Sequence, residues 1–522
     1  MAKPARRSPP GGRPPQGRTD PPMVQAYDAV QEAEKLRKAG RLDRARSVCA
    51  LALKPFPDYV AALYTMGLIL ADQSQYDKAL EPLHRALMLN PQDPQILIAL
   101  SGVYLKLDSH LMAARTLEQA SEISPNDANI LVTLAEIYRE QKEYELAKGA
   151  YEAALEAEPT LTVAEFGLLQ NLMDIGELEK AAEIVQKHVR GGSRTLFLLY
   201  TLSQLPTALV DLDPIPLLDE IEPGAKKISP EDFKAQAAFT KASAFDKAGR
   251  HEEAWEQVNR ARRYNSAEAR NGFEKYRKRH QPLLEIARNV TADFDANGRT
   301  PPELPISLFI VGPSRSGKTT LERLIGSLPD VKRGYENPIV ENAVRRSFQT
   351  AGFPTKNMLT QLPPGLGDKF RGFYIEELTQ RAESAKVLTN TLPTRTEDAI
   401  RAAIEIPNSR FVFIKRDLND LSIRIFMKNY ATGNFHASKL SYIHEYLTWC
   451  HEMIDAMAEK MPEIARVITY EEMVADPKAA LDMTAELCGL DASGVELPPI
   501  GDDRGCGQPY REKIKEAIGD SA

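Results

Sequence analysis

Hydrophobic and polar positions in the first half of the chain recur at helical spacing, and the pattern itself repeats. In AALYTMGLILADQSQYDKALEPLHRALMLNPQD, apolar residues fall three or four apart over two stretches separated by a polar turn, as two amphipathic helices require. Pro57, Pro91, Pro125 and Pro159 are separated by steps of 34 residues, and so are Ala45, Ala79, Ala113 and Ala147, and Ala52, Ala86, Ala120 and Ala154. The small residues stand where two helices must approach closely. The prolines end the second helix of each unit, because proline has no N–H to donate and its ring clashes with the preceding turn. The clear units cover residues 26–159. A weaker unit follows with Ala181 at the repeat alanine, and another at AQAAFTKASAFDKAGRHEEAWEQVNRARRYN carries Ala242, Ala254 and Ala261. Between them LPTALVDLDPIPLLDEIEPG breaks the period.

Beyond residue 305 the period is gone. Short apolar runs, ISLFIVG, KVLTNTLP, RFVFIKRD and ARVITYEEM, alternate with helical stretches, which predicts an α/β domain with a mainly parallel sheet. NVTADFDANGRTPPELP marks the boundary through its glycine and three prolines. The expected organisation is a tail at 1–22 rich in proline, glycine and arginine, a helical repeat domain at 23–290, a linker at 291–304 and the α/β domain at 305–522.

Composition narrows the function classes. A net charge of −7 and a pI near 5.8 argue against a general nucleic-acid binder. Four scattered cysteines lack metal or disulfide spacing and suit a reducing compartment. No apolar run approaches the roughly 20 residues that cross a bilayer, and the tail lacks the apolar core of a signal peptide. The expectation is a cytoplasmic protein without a membrane span.

The 34-residue helix–turn–helix unit resembles the tetratricopeptide repeat. That resemblance implies a curved solenoid whose groove holds a peptide or protein ligand. In the second domain, Gly312-x4-Gly317-Lys318-Thr319 fits the Walker A pattern after an apolar run. Glycines let backbone N–H groups turn inward around an anion, and the helix that follows points its positive end at the same place. Arg315 and Lys318 add full charges. A nucleoside triphosphatase would also need a carboxylate for magnesium at the end of a neighbouring strand. The one near such a position, Asp417, adjoins Arg416.

The whole domain resembles the sulfotransferase family. FIVGPSRSGKTTLERLIGSLPDV is similar to that family's first nucleotide-binding segment, RGYENPIVENAVRR to its glycine–glutamate segment, NSRFVFIKRDLNDLSIRIF to its second nucleotide-binding segment and RVITYEEMVADPKAALDMTAELCGL to its tyrosine–acid–acid segment. GQPYREKI resembles the C-terminal loop of the branch in which tetratricopeptide repeats are fused to a sulfotransferase domain. The resemblance covers about residues 305–515. It implies transfer of a sulfuryl group from 3'-phosphoadenosine 5'-phosphosulfate (PAPS) to a hydroxyl or amine, with no metal. It further implies that Arg315, Ser316, Gly317, Lys318 and Thr319 hold the 5'-phosphosulfate, with Arg315 as a catalytic cation beside the leaving oxygen, that Arg416 binds the 3'-phosphate and that Tyr470 contacts adenine. Glu336, at the glutamate position of the protein-tyrosine sulfotransferase branch, becomes the general base, with a helix-capping glutamate as its competing explanation.

Several positions depart from the family pattern. Ser314 replaces a proline, Lys318 a threonine, Leu418 the proline of R-D-P and Thr391 a lysine. The serine expected eight residues after Arg416 is Arg424, with Ser422 the nearest hydroxyl. Three functions therefore stay open at this point: a PAPS-dependent sulfotransferase, a P-loop kinase or hydrolase, and a non-catalytic repeat scaffold with a degenerate nucleotide-binding domain. The acceptor and the oligomeric state are not specified.

Overall fold

A computed structural model describes residues 21–224, 228–263, 266–290, 303–356, 358–391, 395–430 and 434–519. The expected tail and linker lie almost wholly outside the described residues. Contacts divide the chain into two compact units, Met1–Ile184 and Val185–Ala522. Among the described residues no helix is long and apolar enough to cross a membrane.

The first unit is built from helical pairs: α1 (Pro21–Lys38) with α2 (Leu42–Leu53), α3 (Val60–Asp72) with α4 (Tyr76–Leu89), α5 (Pro94–Lys106) with α6 (His110–Ile123), and α7 (Ala128–Glu140) with α8 (Tyr144–Ala157). α9 (Thr162–Ile175) follows, and α10 (Leu178–Arg190) runs across the division. The alanines of both repeat registers, from Ala45 to Ala147 and from Ala52 to Ala154, are fully buried between helices. A larger side chain there would force the helix pair apart, and overpacking of this kind costs about 1–3 kcal/mol. The four repeat prolines stand in the turns after α2, α4, α6 and α8. Asp93 and Asp127, also one period apart, cap α5 and α7 by accepting from Gln95 N at 3.0 Å and Asn129 N at 3.2 Å.

The second unit opens with α11 (Leu196–Gln204), α12 (Pro230–Lys247), α13 (His251–Arg263) and α14 (Ser266–Asn289). It continues with β1 (Ile306–Val311), α15 (Lys318–Ile325), β2 (Val331–Lys332), α16 (Ile339–Thr350), α17 (Gly367–Ala382), β3 (Val387–Asn390), α18 (Arg395–Glu405) and β4 (Ser409–Lys415). α19 (Leu418–Phe426), α20 (Leu440–Lys460), β5 (Ala465–Thr469), α21 (Tyr470–Ala475), α22 (Pro477–Leu487) and α23 (Arg511–Ile518) complete it. The sheet is wholly parallel in the order β2-β3-β1-β4-β5. Central strands of a parallel sheet are covered on both faces, which is why ISLFIV reads as a continuous apolar run. Phe309, Val311, Phe411 and Phe413 pack toward α16, α17, α18 and α20, whereas Leu308, Ile310, Val412 and Ile414 pack toward α15 and α22.

The helices at the start of this unit share a core with the α/β domain. Phe239 of α12 and Val258 of α13 join Leu421 and Ile425 of α19, Leu447 of α20 and Ile514 of α23 in one apolar cluster. Arg262 of α13 lies between the rings of Phe239 and Phe426. Its Nη2 donates to the carbonyls of Ile425, Phe426 and Lys428 at 3.2, 2.7 and 2.8 Å, at and just beyond the C-terminal end of α19. Arg262→Ala should therefore remove these bonds and destabilise the second unit by about 1.5–3 kcal/mol, the range for hydrogen bonds to charged groups. The check is the urea midpoint of residues 185–522, and an unchanged midpoint would contradict the contact's role.

Candidate functional site

In a parallel sheet every strand ends on the same edge, and ligands gather there where the strand order reverses. Here the order turns around β1, with β3 on one side and β4 on the other. Four strands are followed closely by candidate residues: β1 by the loop with Arg315, β2 by Glu336, β4 by Arg416 and β5 by Tyr470. All the candidates except Ser316 and Ser422 line one cavity of about 570 Å³.

The loop between β1 and α15 is tight for a measurable reason. A Cβ at Gly312 would lie 2.5 Å from the Ile414 carbonyl oxygen of β4. Gly317 has φ +104°, a left-handed conformation, and a Cβ there would lie 2.6 Å from Cδ2 of Tyr470. Arg315 holds φ +70° although it is not glycine, a strained conformation of the kind that concentrates at functional loops. Lys318 is buried, and its ammonium donates to the Gly312 and Pro313 carbonyls at 2.8 and 2.9 Å. Burial pulls its pKa down to about 8; the Glu336 charge opposes that shift and Arg315 adds to it. Thr319 lines the cavity, while Ser316 is fully buried with its hydroxyl unpaired.

Glu336 is exposed and lines the cavity, on a segment held by four residues. Asn337 Nδ2 donates to the Thr389 carbonyl at 2.9 Å, Asn390 Nδ2 donates to the Asn337 carbonyl at 3.0 Å, and Thr391 N donates to the Tyr335 carbonyl at 2.8 Å. The fourth anchor is Glu322 of α15, which is fully buried. Its Oε1 accepts from Tyr335 N at 2.8 Å and from the Thr389 hydroxyl at 2.5 Å. Burial pushes this carboxyl above the usual range; Arg333, 3.7 Å away, and these hydrogen bonds only partly offset it. Tyr335 itself sits at φ +53°. Thr391, where the resemblance expects a lysine, is buried and does not line the cavity.

At the other end of the cavity Arg416 stacks on the Tyr470 ring, 4.2 Å from its centroid. Its Nη1 donates to the Arg315 carbonyl at 3.1 Å, so the two ends of the cavity are bonded to each other, while its Nε is buried and unpaired. Its carboxylate partner is Asp503 at 3.0 Å, with Asp420 at 3.8 Å. Asp417 caps α19 instead, accepting from Asn419 N and Asp420 N at 2.9 Å each. Arg424 grips the same Asp503 through Nε at 2.8 Å and through Nη2, and reaches Asp246 of α12 with Nη1 at 3.0 Å. Ser422 is fully buried in α19, with its hydroxyl unpaired.

Sequence reasoning missed Asp503, Asp246 and Glu322, as well as the cavity wall supplied by Tyr200, Gln204 and Ser243 of α11 and α12. The acid pair inside GDDRGCG, just before the quoted C-terminal motif, was a usable signal for Asp503. For Asp246 and Glu322 no local signal exists, since each is an ordinary acid on a helix. Chemically, the cavity is lined by two cations of the loop, two guanidinium groups, an aromatic ring and a carboxylate.

Residues 305–494 match the sulfotransferase family, and residues 56–186 match the ChAPs (Chs5p-Arf1p-binding proteins). Protein-tyrosine sulfotransferase 2 of Gallus gallus is 23% identical over 42% of this chain and 61% of its own length. Protein-tyrosine sulfotransferase 1 of Danio rerio is 24% identical over 38% of this chain and 58% of its own length. The chain thus spans about three fifths of these relatives. Among solved structures, the MamA protein covers 32% of this chain at 20% identity, with 91% of that chain covered and a TM-score of 0.30. YrrB, described as a TPR protein with an unusual peptide-binding site, covers 32% at 21% identity, with 85% of that chain covered and a TM-score of 0.29. The chain thus pairs helical repeats of 34-residue period with a C-terminal segment that matches the sulfotransferase family and is distantly similar to the protein-tyrosine sulfotransferases.

Proposed function

We propose that the C-terminal domain transfers a sulfuryl group from PAPS to a hydroxyl acceptor, and that the helical repeats recruit the acceptor or a partner protein. The observation that carries this reading is one cavity with two cationic ends and a carboxylate beside one of them. A 3',5'-phosphorylated nucleotide has anionic groups on both sides of its ribose. On this reading the loop N–H groups, Arg315, Lys318 and Thr319 hold the 5' end, Arg416 and Arg424 receive the 3'-phosphate, and Tyr470 faces adenine. The Ser316 hydroxyl and Arg416 Nε are buried beside this cavity without a hydrogen-bond partner.

Glu336 then takes the acceptor's proton as a sulfur–oxygen bond to the acceptor forms and the bond from sulfur to the departing 5'-phosphate oxygen breaks. Arg315 and Lys318 offset the charge that gathers on that phosphate. Positioning and fixed charge do the catalysis, so arginine and lysine take the part that a metal ion takes in triphosphate chemistry. The products are the sulfated acceptor and adenosine 3',5'-bisphosphate. The competing P-loop kinase or hydrolase reading rests on the literal Walker A match, and its candidate carboxylate, Asp417, is engaged as a helix cap. A binding-only domain is the other alternative, motivated by Thr391.

Calorimetric titration tests the reading. Adenosine 3',5'-bisphosphate should bind more tightly than ATP, and Arg416→Ala should weaken the bisphosphate roughly tenfold or more while hardly affecting adenosine 5'-phosphosulfate. Magnesium-dependent ATP binding with no response to the bisphosphate would favour the kinase reading instead. Glu336→Gln preserves shape and removes the proton acceptor, so transfer should fall by about 10²–10⁴-fold at unchanged nucleotide affinity. A near-normal rate in that variant would reduce Glu336 to a structural residue.

Lys318 adds a pH dependence whose sign is set by its pKa near 8. Below that pH the ammonium is charged and attracts the anion. Above about pH 7 the phosphate is already dianionic, so bisphosphate affinity should fall as pH rises through 8, by at most about tenfold per unit. Lys318→Met should bind more weakly and lose this dependence; a wild-type affinity that is flat from pH 7 to 10 would contradict it. Folding stability runs the other way. The unfolded chain keeps this proton up to pH 10.5, so the contribution of Lys318 to stability rises between 8 and 10.5.

A further inference from the structure

The Arg416–Arg424 end of the cavity holds a carboxylate that the nucleotide reading does not use. Asp503 accepts from Arg424 Nε at 2.8 Å and from its Nη2, and from Arg416 Nη2 at 3.0 Å, while its backbone carbonyl accepts from the same Nη2 at 2.6 Å. One side chain therefore engages both guanidinium groups that would receive a phosphate. The loop that presents it is held from elsewhere. Asp420 accepts from Gly505 N and Gly507 N at 2.7 Å each, and the Tyr470 hydroxyl accepts from Asp503 N at 3.0 Å. Arg424 has a second anchor in Asp246 at 3.0 Å, and Asp246 is itself held by the Tyr510 hydroxyl at 2.7 Å. Both the arginine and the loop thus keep their places if the Asp503 side chain turns away.

Charge decides what can enter. Arg416 and Arg424 face the carboxylates Asp503, Asp420 and Asp246, and Lys247 faces Arg424 and Asp246 from α12. A phosphate dianion placed beside Asp503 would meet a like charge in a half-buried site, where like charges repel strongly. A phosphate that replaces Asp503 meets two freed forks, and it offers one more oxygen and one more charge than a carboxylate. We propose that Asp503 is an internal competitor for this anion site and a specificity-determining residue: it yields to a phosphate dianion and stays in place for ligands that present a hydroxyl there. The inference rests on the nucleotide reading of the cavity and makes the 3'-phosphate the group that is selected.

The test is calorimetry on the full chain with adenosine 3',5'-bisphosphate and AMP, comparing wild type with Asp503→Asn. The amide keeps the size of the side chain and removes its charge. Bisphosphate affinity should rise by about tenfold or more, the worth of one charge-assisted contact, while AMP affinity stays unchanged. Asp503→Ser is the second variant, and it makes the same comparison if the asparagine form fails to fold. Equal or weaker bisphosphate binding in a folded variant overturns the inference and leaves the nucleotide reading intact, with Asp503 then bracing the arginines. Bisphosphate binding to neither wild type nor variants overturns both.

Discussion

The second unit is organised by the direction of its strands. Because β1 to β5 are all parallel, their carboxyl ends share one edge, and whatever follows each strand must turn there. Space is short after β1, where the backbone runs so close to β4 and Tyr470 that positions 312 and 317 have no room for a side chain. α15 starts directly after this crowded loop, at Lys318. The loop also brings Arg315 within a hydrogen bond of Arg416, so two segments about a hundred residues apart share one site.

Around this edge the charges are balanced rather than uniformly positive. Lys318 spends two of its donors on loop carbonyls and sits near Glu336, and the two arginines opposite are shared by Asp503, Asp420 and Asp246. A cavity of bare cations would attract any anion. One whose cations are already satisfied binds only ligands that replace the internal partners with better ones. The chain's acidic balance of −7 is compatible with such a site because its cations are local.

What the sequence revealed and what it hid follow a physical division. The repeat alanines were legible because helix contact allows only a small side chain, and each is fully buried. The glycine loop was legible because its spacing encodes backbone geometry. Arg416 and Tyr470 could be placed because each directly follows an apolar run that became β4 or β5. The pairing of Arg416 was not legible. Its neighbour Asp417 was the local competitor, but that carboxylate satisfies two N–H groups at the start of α19, and the partner is Asp503. Arg424 is likewise held by acids 79 and 178 positions away, a distance at which no local pattern operates. The repeat period reads on through α13, yet α12 and α13 share a core with α19, α20 and α23. Periodicity reports how a helix packs on its neighbour, not which unit that neighbour belongs to.

The central claim is that one nucleotide spans both ends of this cavity. Hydrogen exchange of the full chain, with and without adenosine 3',5'-bisphosphate, tests it most directly. The account predicts slowed exchange in residues 312–319 and in residues 501–507 at the same ligand concentration, since one molecule would contact both loops. Slowing confined to residues 312–319, with the C-terminal loop unaffected at saturation, would contradict it.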